Sequence, residues 1–191
     1  MKTKQIVLFA SGSGSNVENI IRYFQDKPKV TIAMVLTNKR DAKVLDRCNK
    51  LNVSALYFNK IAFQETDCIL DILKGVNPNL IVLAGFLWKI PEKIIEAFPN
   101  KIINIHPALL PKYGGKGMYG PKVHNAVKEN NETETGITIH FVNEHYDEGA
   151  IIHQAKTAIL PEDSADDIAE KVHTLEYEHF PRIIAQLLLD Q

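Results

Sequence analysis

The chain has 191 residues, a length that fits one domain, and 45% of them are apolar, which is enough to build a buried core. Its 22 lysine and arginine residues nearly balance its 23 aspartate and glutamate residues, so the formal net charge is −1. Proteins that coat nucleic acid or an anionic membrane normally carry a basic excess, and the charge balance argues against both partners. The two cysteines, Cys48 and Cys68, are too few for a disulfide scaffold and lack the spacing of a zinc or redox motif.

The apolar segments are too short for membrane insertion or export. The first of them, Ile6–Ala10, is shorter than the core of a signal peptide, and no run reaches the roughly 18 residues of a membrane span. We therefore expect a cytoplasmic protein.

Short apolar runs alternate along the chain with longer stretches that suit helices. The predicted strands are Ile6–Ala10, Val30–Leu36, Val53–Phe58, Leu80–Ala84, Ile102–Ile105, Ile137–Val142 and Ile151–Thr157. The predicted helices are Asn16–Gln25, Asp41–Leu51, Phe63–Lys74, Pro91–Ala97, Lys122–Glu129 and Ala165–Phe180. This alternation predicts an α/β fold with a mostly parallel twisted sheet of about seven strands, in a single domain over residues 1–191.

Two of these elements carry an additional signal. In Ile137–Val142, apolar residues alternate with Thr138 and His140, which predicts one packed face and one partly polar face in an edge or antiparallel strand. The last helix is preceded by Ser164, a favourable N-cap residue, and an acidic residue, Asp167, follows three positions later.

A glycine-rich turn, Ser11–Asn16, joins the first predicted strand to the first predicted helix. Backbone N–H groups at such a helix N-terminus bind phosphate well. Val17 interrupts the dinucleotide pattern, and no acidic residue for a ribose follows the second strand at Thr37–Arg40. The P-loop sequence is also absent, so we predict that the turn binds a simple phosphomonoester.

The segment Asn104-Ile105-His106-Pro107 closes the fifth predicted strand. Asn104 and His106 are two residues apart, so on an extended chain both side chains point to the same side. Ligands of open α/β sheets bind at the carboxyl ends of the strands, where this pair lies. An amide beside an imidazole can hold a carbonyl oxygen as charge develops on it, and the imidazole can also move a proton near neutral pH.

A carboxylate is the natural partner of this histidine. Three acidic residues, Glu144, Asp147 and Glu148, lie in the turn before the seventh strand, and spacing alone does not distinguish them. A carboxylate beside His106 is expected to raise the pKa of the imidazole and to favour imidazolium.

Together these motifs resemble those of the phosphoribosylglycinamide formyltransferases, a family of folate-dependent formyltransferases. The resemblance covers nearly the whole chain and rests on the segments Ser11-Gly12-Ser13-Gly14-Ser15-Asn16, Leu83-Ala84-Gly85-Phe86, Asn104-Ile105-His106-Pro107-Ala108-Leu109-Leu110-Pro111 and Asp147-Glu148-Gly149. It implies a Rossmann-like formyltransferase fold with helices on both faces of the sheet. The N-terminal half would bind the ribonucleotide phosphate, and the C-terminal half would bind folate and carry the catalytic residues.

The resemblance also implies a reaction. The amine of glycinamide ribonucleotide would attack the formyl carbon of 10-formyltetrahydrofolate, with Asn104 and His106 at the formyl oxygen and Asp147 assisting proton transfer. It thereby favours Asp147 among the three acids. No metal is required, and the two substrates are the expected partners of a monomer or homodimer.

Further site residues carry over from the family by position. The expected phosphate-binding residues are Gly12, Ser13, Gly14, Ser15 and Asn16; the folate-binding residues are Leu87, Trp88, Lys89, Ile90 and Asn104; and the residues at the substrate amine are His173 and Glu176. His140 matches a family histidine that lies near the site or packs in the core. The glycine-rich segment 113–121 is expected to be a mobile loop near the substrate.

Other functions on this framework fit the sequence less well. Methionyl-tRNA formyltransferases carry an added C-terminal domain, and formyltetrahydrofolate deformylases usually carry an N-terminal regulatory domain, so the chain length favours neither. A non-catalytic nucleotide-binding module would be expected to lack one of the residues matching Asn104, His106 and Asp147, and all three are present.

Overall fold

The computed structural model describes residues 3–189. The strands are β1 (Lys4–Ala10), β2 (Val30–Thr37), β3 (Ala55–Tyr57), β4 (Leu80–Leu83), β5 (Ile102–His106), β6 (Glu134–Phe141) and β7 (Ile151–Ala158). The helices are α1 (Ser15–Phe24), α2 (Lys43–Lys50), α3 (Cys68–Val76), α4 (Glu92–Ala97), α5 (Pro121–Glu129) and α6 (Ala165–Leu189). The strands form one sheet in the order β3-β2-β1-β4-β5-β6-β7.

Pairing within this sheet is mostly parallel. β1 pairs in parallel with β2 and β4, and β2 pairs in parallel with β3. β6 and β7 are antiparallel. The α/β class and the mostly parallel seven-stranded sheet predicted from the sequence are confirmed, and the predicted ends of the strands lie within three residues of the observed ones.

The described residues fall into two compact units, 3–103 with 187–189 and 104–186. In the first unit, residues 6–10 of β1 and all of β4 are buried, as expected for strands covered on both faces. Four rings, Phe9, Phe58, Phe63 and Phe86, pack with their centroids 5.0–6.3 Å apart. This aromatic cluster lies at the carboxyl end of β1, next to the glycine-rich turn.

The second unit is organised around β6. Thr138 is fully buried; its hydroxyl donates to Ala108 O (2.7 Å) and accepts from the Leu110 N–H (3.0 Å) and from Gln154 Nε2 (2.9 Å). These bonds fix the chain immediately after β5, where the Asn104–Pro107 segment ends. The predicted antiparallel strand is confirmed. The expected difference between one packed face and one partly polar face is not observed, because Thr138 and His140 are buried as well. The edge strand is β7 rather than β6.

Two helix predictions also differ from the structure. The predicted helix 63–74 is interrupted: a π-helical turn at Ile61–Glu65 ends at Thr66, whose extended backbone (ψ 172°) precedes α3. The Thr66 hydroxyl accepts a hydrogen bond from the Cys68 N–H (3.3 Å), a local bond that competes with helix continuation.

The last helix was predicted to end at Phe180, but α6 runs through Pro181 to Leu189. An interior proline costs about 3 kcal/mol through its lost N–H and its clash with the preceding turn. Phe180 and Ile184, on either side of Pro181, are both fully buried, so apolar packing on the two sides offsets this cost.

The predicted N-cap of α6 is confirmed, since the Asp167 N–H donates to Ser164 Oγ (3.2 Å) and the Ser164 N–H donates to the Asp167 carboxylate (2.8 Å).

None of the helices within residues 3–189 combines the length and apolar character that crossing a membrane requires.

Candidate active site

The glycine-rich turn opens directly onto α1. The Glu18 N–H makes an early helical bond to Gly14 O (2.9 Å), so the N–H groups of residues 15–17 precede it at the positive end of the helix. Gly14 is the N-cap and has a left-handed conformation (φ +74°). A Cβ there would lie 2.9 Å from Val44 Cα, so both the backbone conformation and the close packing of α2 require glycine. The turn therefore has the geometry of an anion-binding site.

A residue that the sequence analysis missed supports this turn from α2. Arg47 Nε donates to Ser13 O (2.8 Å), and its guanidinium also forms an ion pair with Glu18 of α1. Hydrogen bonds from Arg22 and Arg47 lower the pKa of the Glu18 carboxyl, so it remains ionised. Arg47 is 34 residues from Ser13 in the chain, and no local pattern could have indicated this contact.

The segment after β4 is tied to the end of β1. Ser11 N–H donates to Gly85 O (3.0 Å), and Ser11 Oγ accepts from the Leu87 N–H (2.9 Å). Of the four residues expected to bind folate here, Leu87 and Lys89 are exposed, whereas Ile90 is 3% exposed.

Trp88 is half-buried against the aromatic cluster, with ring centroids 6.0–6.4 Å from those of Phe58, Phe63 and Phe86. These contacts give Trp88 a packing role. Ile90 can offer only backbone groups to a ligand, because its side chain lies in the core.

In the second unit, β5 carries Asn104 and His106 on one side of the strand, as the two-residue spacing predicts. His140 Nδ1 lies 2.8 Å from Phe141 O, a geometry that places a proton on Nδ1. His140 Nε2 then accepts from Asn104 Nδ2 at 3.2 Å. The buried His140 thus orients the Asn104 amide and belongs to the site as well as to the core.

Asp147 lies between the two histidines. Its Oδ2 is 3.6 Å from His106 Nδ1, and its Oδ1 is 3.6 Å from His140 Nε2. The other two acids of this turn are exposed, and Glu144 pairs with the exposed His145. Asp147 adopts the left-handed conformation (φ +58°), which is uncommon outside glycine and is found at functional turns.

The start of the 113–121 segment bridges His106 and Asp147. His106 Nε2 lies 2.7 Å from Tyr113 O, and the Gly115 N–H donates to Asp147 Oδ2 at 2.9 Å. The Tyr113 hydroxyl donates a hydrogen bond to Glu132 (2.9 Å), and this contact, away from His106 and Asp147, holds the start of the segment in place. Sequence reasoning did not identify these main-chain groups, because backbone contacts leave no residue-type signal.

The electrostatics of His106 differ from the expectation. Burial lowers the pKa of this imidazole, and the nearby Asp147 charge offsets only part of that effect, so the net shift is downward. Asp147 does raise the pKa of His106, as predicted, but the expected imidazolium is not favoured in the resting protein, because burial of His106, only 3% exposed, outweighs that effect. Burial raises the pKa of the Asp147 carboxyl, but its interactions with the imidazoles of His140 and His106 and with the Gly115 N–H outweigh that effect. The net shift is downward, and Asp147 stays ionised at neutral pH.

The predicted pair on the last helix is in contact. His173 Nδ1 lies 3.0 Å from a Glu176 carboxylate oxygen, and this bond raises the pKa of His173. The Glu176 side chain is 7% exposed, whereas His173 is half-exposed. Among residues 3–189, no group of three or more histidine, cysteine, aspartate or glutamate side chains is arranged to hold a metal ion.

Comparisons with known proteins identify the family of this chain. A family described as formyl transferase matches residues 4–184. The phosphoribosylglycinamide formyltransferase of Haemophilus influenzae is 38% identical over 95% of this chain and 85% of its own. The chloroplastic phosphoribosylglycinamide formyltransferase of Arabidopsis thaliana is 34% identical over 97% of this chain, which spans 66% of that protein. The crystal structure of phosphoribosylglycinamide formyltransferase from Anaplasma phagocytophilum superposes with a TM-score of 0.89 at 28% identity, over 99% of this chain and 89% of its own.

Proposed function

The chain belongs to the formyl transferase family, and from that premise we propose that it transfers the formyl group of 10-formyltetrahydrofolate to the amine of glycinamide ribonucleotide. The observation that carries this proposal is the contact of His106 and His140 with one ionised carboxylate, Asp147, beside the amide of Asn104. The names of the relatives from Haemophilus influenzae and Arabidopsis thaliana support the same acceptor.

The reaction begins when the lone pair of the acceptor amine attacks the formyl carbon. The carbonyl electrons move to oxygen, and Asn104 and His106 donate hydrogen bonds to the oxyanion that forms. His106 Nε2 faces the Tyr113 carbonyl in the resting protein, so binding exchanges that carbonyl for the formyl oxygen. The 113–115 backbone thus occupies the place of the substrate until it binds.

Proton transfer completes the reaction. The attacking nitrogen becomes cationic and releases a proton to Asp147, directly or through a water molecule, because this carboxylate is ionised at neutral pH. The tetrahedral intermediate then collapses: the bond to N10 of the folate breaks, N10 takes up the proton that Asp147 accepted, and the formyl group remains on the acceptor. The contact of Asp147 with His106 also stabilises any positive charge that develops on the imidazole.

The remaining residues have binding roles in this proposal. The acceptor phosphate binds to backbone N–H groups of the glycine-rich turn at the N-terminal end of α1. The residues of this turn are Gly12, Ser13, Gly14, Ser15 and Asn16. The segment Leu87–Ile90 contributes to the folate site, chiefly through its backbone and the exposed Leu87 and Lys89. Glu176 and His173 lie at the amine end of the acceptor.

One assay tests this function directly. We expect the purified protein to deformylate 10-formyltetrahydrofolate only when glycinamide ribonucleotide is present, with one formylated product formed for each folate released. Folate release at the same rate without the acceptor would refute transfer and indicate hydrolysis. The variant Asn104→Asp, which replaces the amide donor with an acceptor-only group, should lose turnover while keeping the fold.

A further inference from the structure

One buried histidine lies outside every motif identified from the sequence. His124 is the fourth residue of α5, in the helix that follows the 113–120 segment. Only 4% of it is exposed, and its Nδ1 has no hydrogen-bond partner among the described residues. Leaving a buried polar atom unsatisfied is unfavourable, so a nitrogen of this kind needs a partner, either a water molecule or a ligand.

The charges around His124 define what that partner can be. Burial lowers the pKa of its imidazole, the histidines His173 and His106 lower it further, and Glu176 opposes them. The net shift is downward, so His124 is neutral at pH 7 and can accept a hydrogen bond. The buried Glu176 is the anionic group of this set and pairs with His173. A neutral imidazole nitrogen that accepts a hydrogen bond favours a ligand group that carries an N–H or O–H donor.

We propose that His124 binds the formyl-accepting substrate, accepting through Nδ1 a hydrogen bond from a hydroxyl or amide N–H that lies between its phosphate and its amine. The inference rests on the proposed function and adds a specificity residue to it. Two observations support the assignment: the buried Nδ1 has no partner among the described residues, and Glu176 and His106 are close enough to act on the charge of His124.

The test compares substitutions that keep or remove the Nδ1 position. His124→Leu keeps the volume and removes the acceptor; we expect it to raise the KM for glycinamide ribonucleotide by about tenfold, the upper range for one hydrogen bond. The KM for 10-formyltetrahydrofolate should stay within about twofold, since the bond is made to the other substrate. His124→Asn places an amide near the Nδ1 position and should recover most of the affinity. His124→Gln, which reaches the Nε2 position instead, should not.

Val123→Ala on the same helix is the matched packing control, because Val123 is fully buried and carries no polar atom. It should lower the melting temperature without separating the two KM values. Calorimetric titration of glycinamide ribonucleotide into each variant, without folate, measures the acceptor affinity directly.

Three results would overturn the inference about His124. An unchanged acceptor affinity in His124→Leu would mean that a water molecule satisfies Nδ1. Equal losses of affinity for both substrates would mean that the substitution disturbs packing. Equal binding of the acceptor by His124→Asn and His124→Gln would mean that the Nδ1 position is not used. If His124→Leu does not fold, the comparison of Asn with Gln decides the question. Failure of the proposed function has a different signature, because the unmodified protein would then neither bind glycinamide ribonucleotide nor require it for folate turnover.

Discussion

Replacing Asp147 with asparagine removes one negative charge from between two buried imidazoles and changes little else. The asparagine can still accept the hydrogen bond from the Gly115 N–H. Asparagine also tolerates the left-handed conformation of this position (φ +58°), so the turn should keep its shape. The substitution therefore tests the charge of Asp147 and not its packing.

The structure allows an order-of-magnitude estimate of the effect. At an effective dielectric constant of about 20, unit charges separated by the 3.6 Å between Asp147 and His106 attract by about 4.6 kcal/mol. If His106 acquires about half a charge in the transition state, the loss is about 2.3 kcal/mol, or about 50-fold in rate. Loss of the proton acceptor adds to this, because general base catalysis contributes about 10²-fold or more. We expect kcat to fall by at least about 100-fold.

Steady-state kinetics with both substrates provide the measurement. The KM for glycinamide ribonucleotide and the melting temperature should change little. Glu144→Gln is the matched control, since it neutralises an exposed acid of the same turn, and its kcat should stay within about twofold of the unmodified protein. A normal kcat with a raised KM in Asp147→Asn would show that Asp147 binds substrate and does not act in catalysis.

Three further predictions concern the glycine-rich turn and the pH dependence of stability. Gly14→Ala should destabilise the protein by about 2 kcal/mol in urea unfolding and weaken acceptor binding. Gly12→Ala, with nothing within 4 Å of its Cβ, should leave the stability unchanged, and an equal loss of stability in the two variants would contradict the packing argument. Arg47→Met should raise the KM of the phosphorylated acceptor by about threefold to tenfold and leave that of the folate unchanged, because it frees the carbonyl of the turn. Burial and the nearby His179 lower the pKa of His153 in the folded state, so its contribution to stability is complete above pH 6.5 and is lost as the pH falls through the folded-state pKa. Melting temperatures at pH 7.5 and 5.5 should show a smaller decrease for His153→Gln than for the unmodified protein, and an equal decrease would exclude this histidine as a source.

Much of the fold followed from local patterns. The alternation of apolar runs with helical stretches gave the α/β class because the periodicity of each element depends on residues only a few positions apart. The Ser164–Asp167 cap was predictable for the same reason, since both partners lie within one turn of α6. Local rules failed where distant packing outweighed them, as at Pro181, where α6 continues between buried residues.

The sequence by itself determined which chemical groups are present and their order: a turn suited to phosphate, an amide and an imidazole on one side of β5, and an acidic turn before β7. Only the tertiary structure decided how they are used. It placed Asp147 and not Glu144 against His106, and it brought Arg47 to the glycine-rich turn. It also reversed the expected protonation of His106, because a pKa depends on burial and on charges that the chain brings close only by folding.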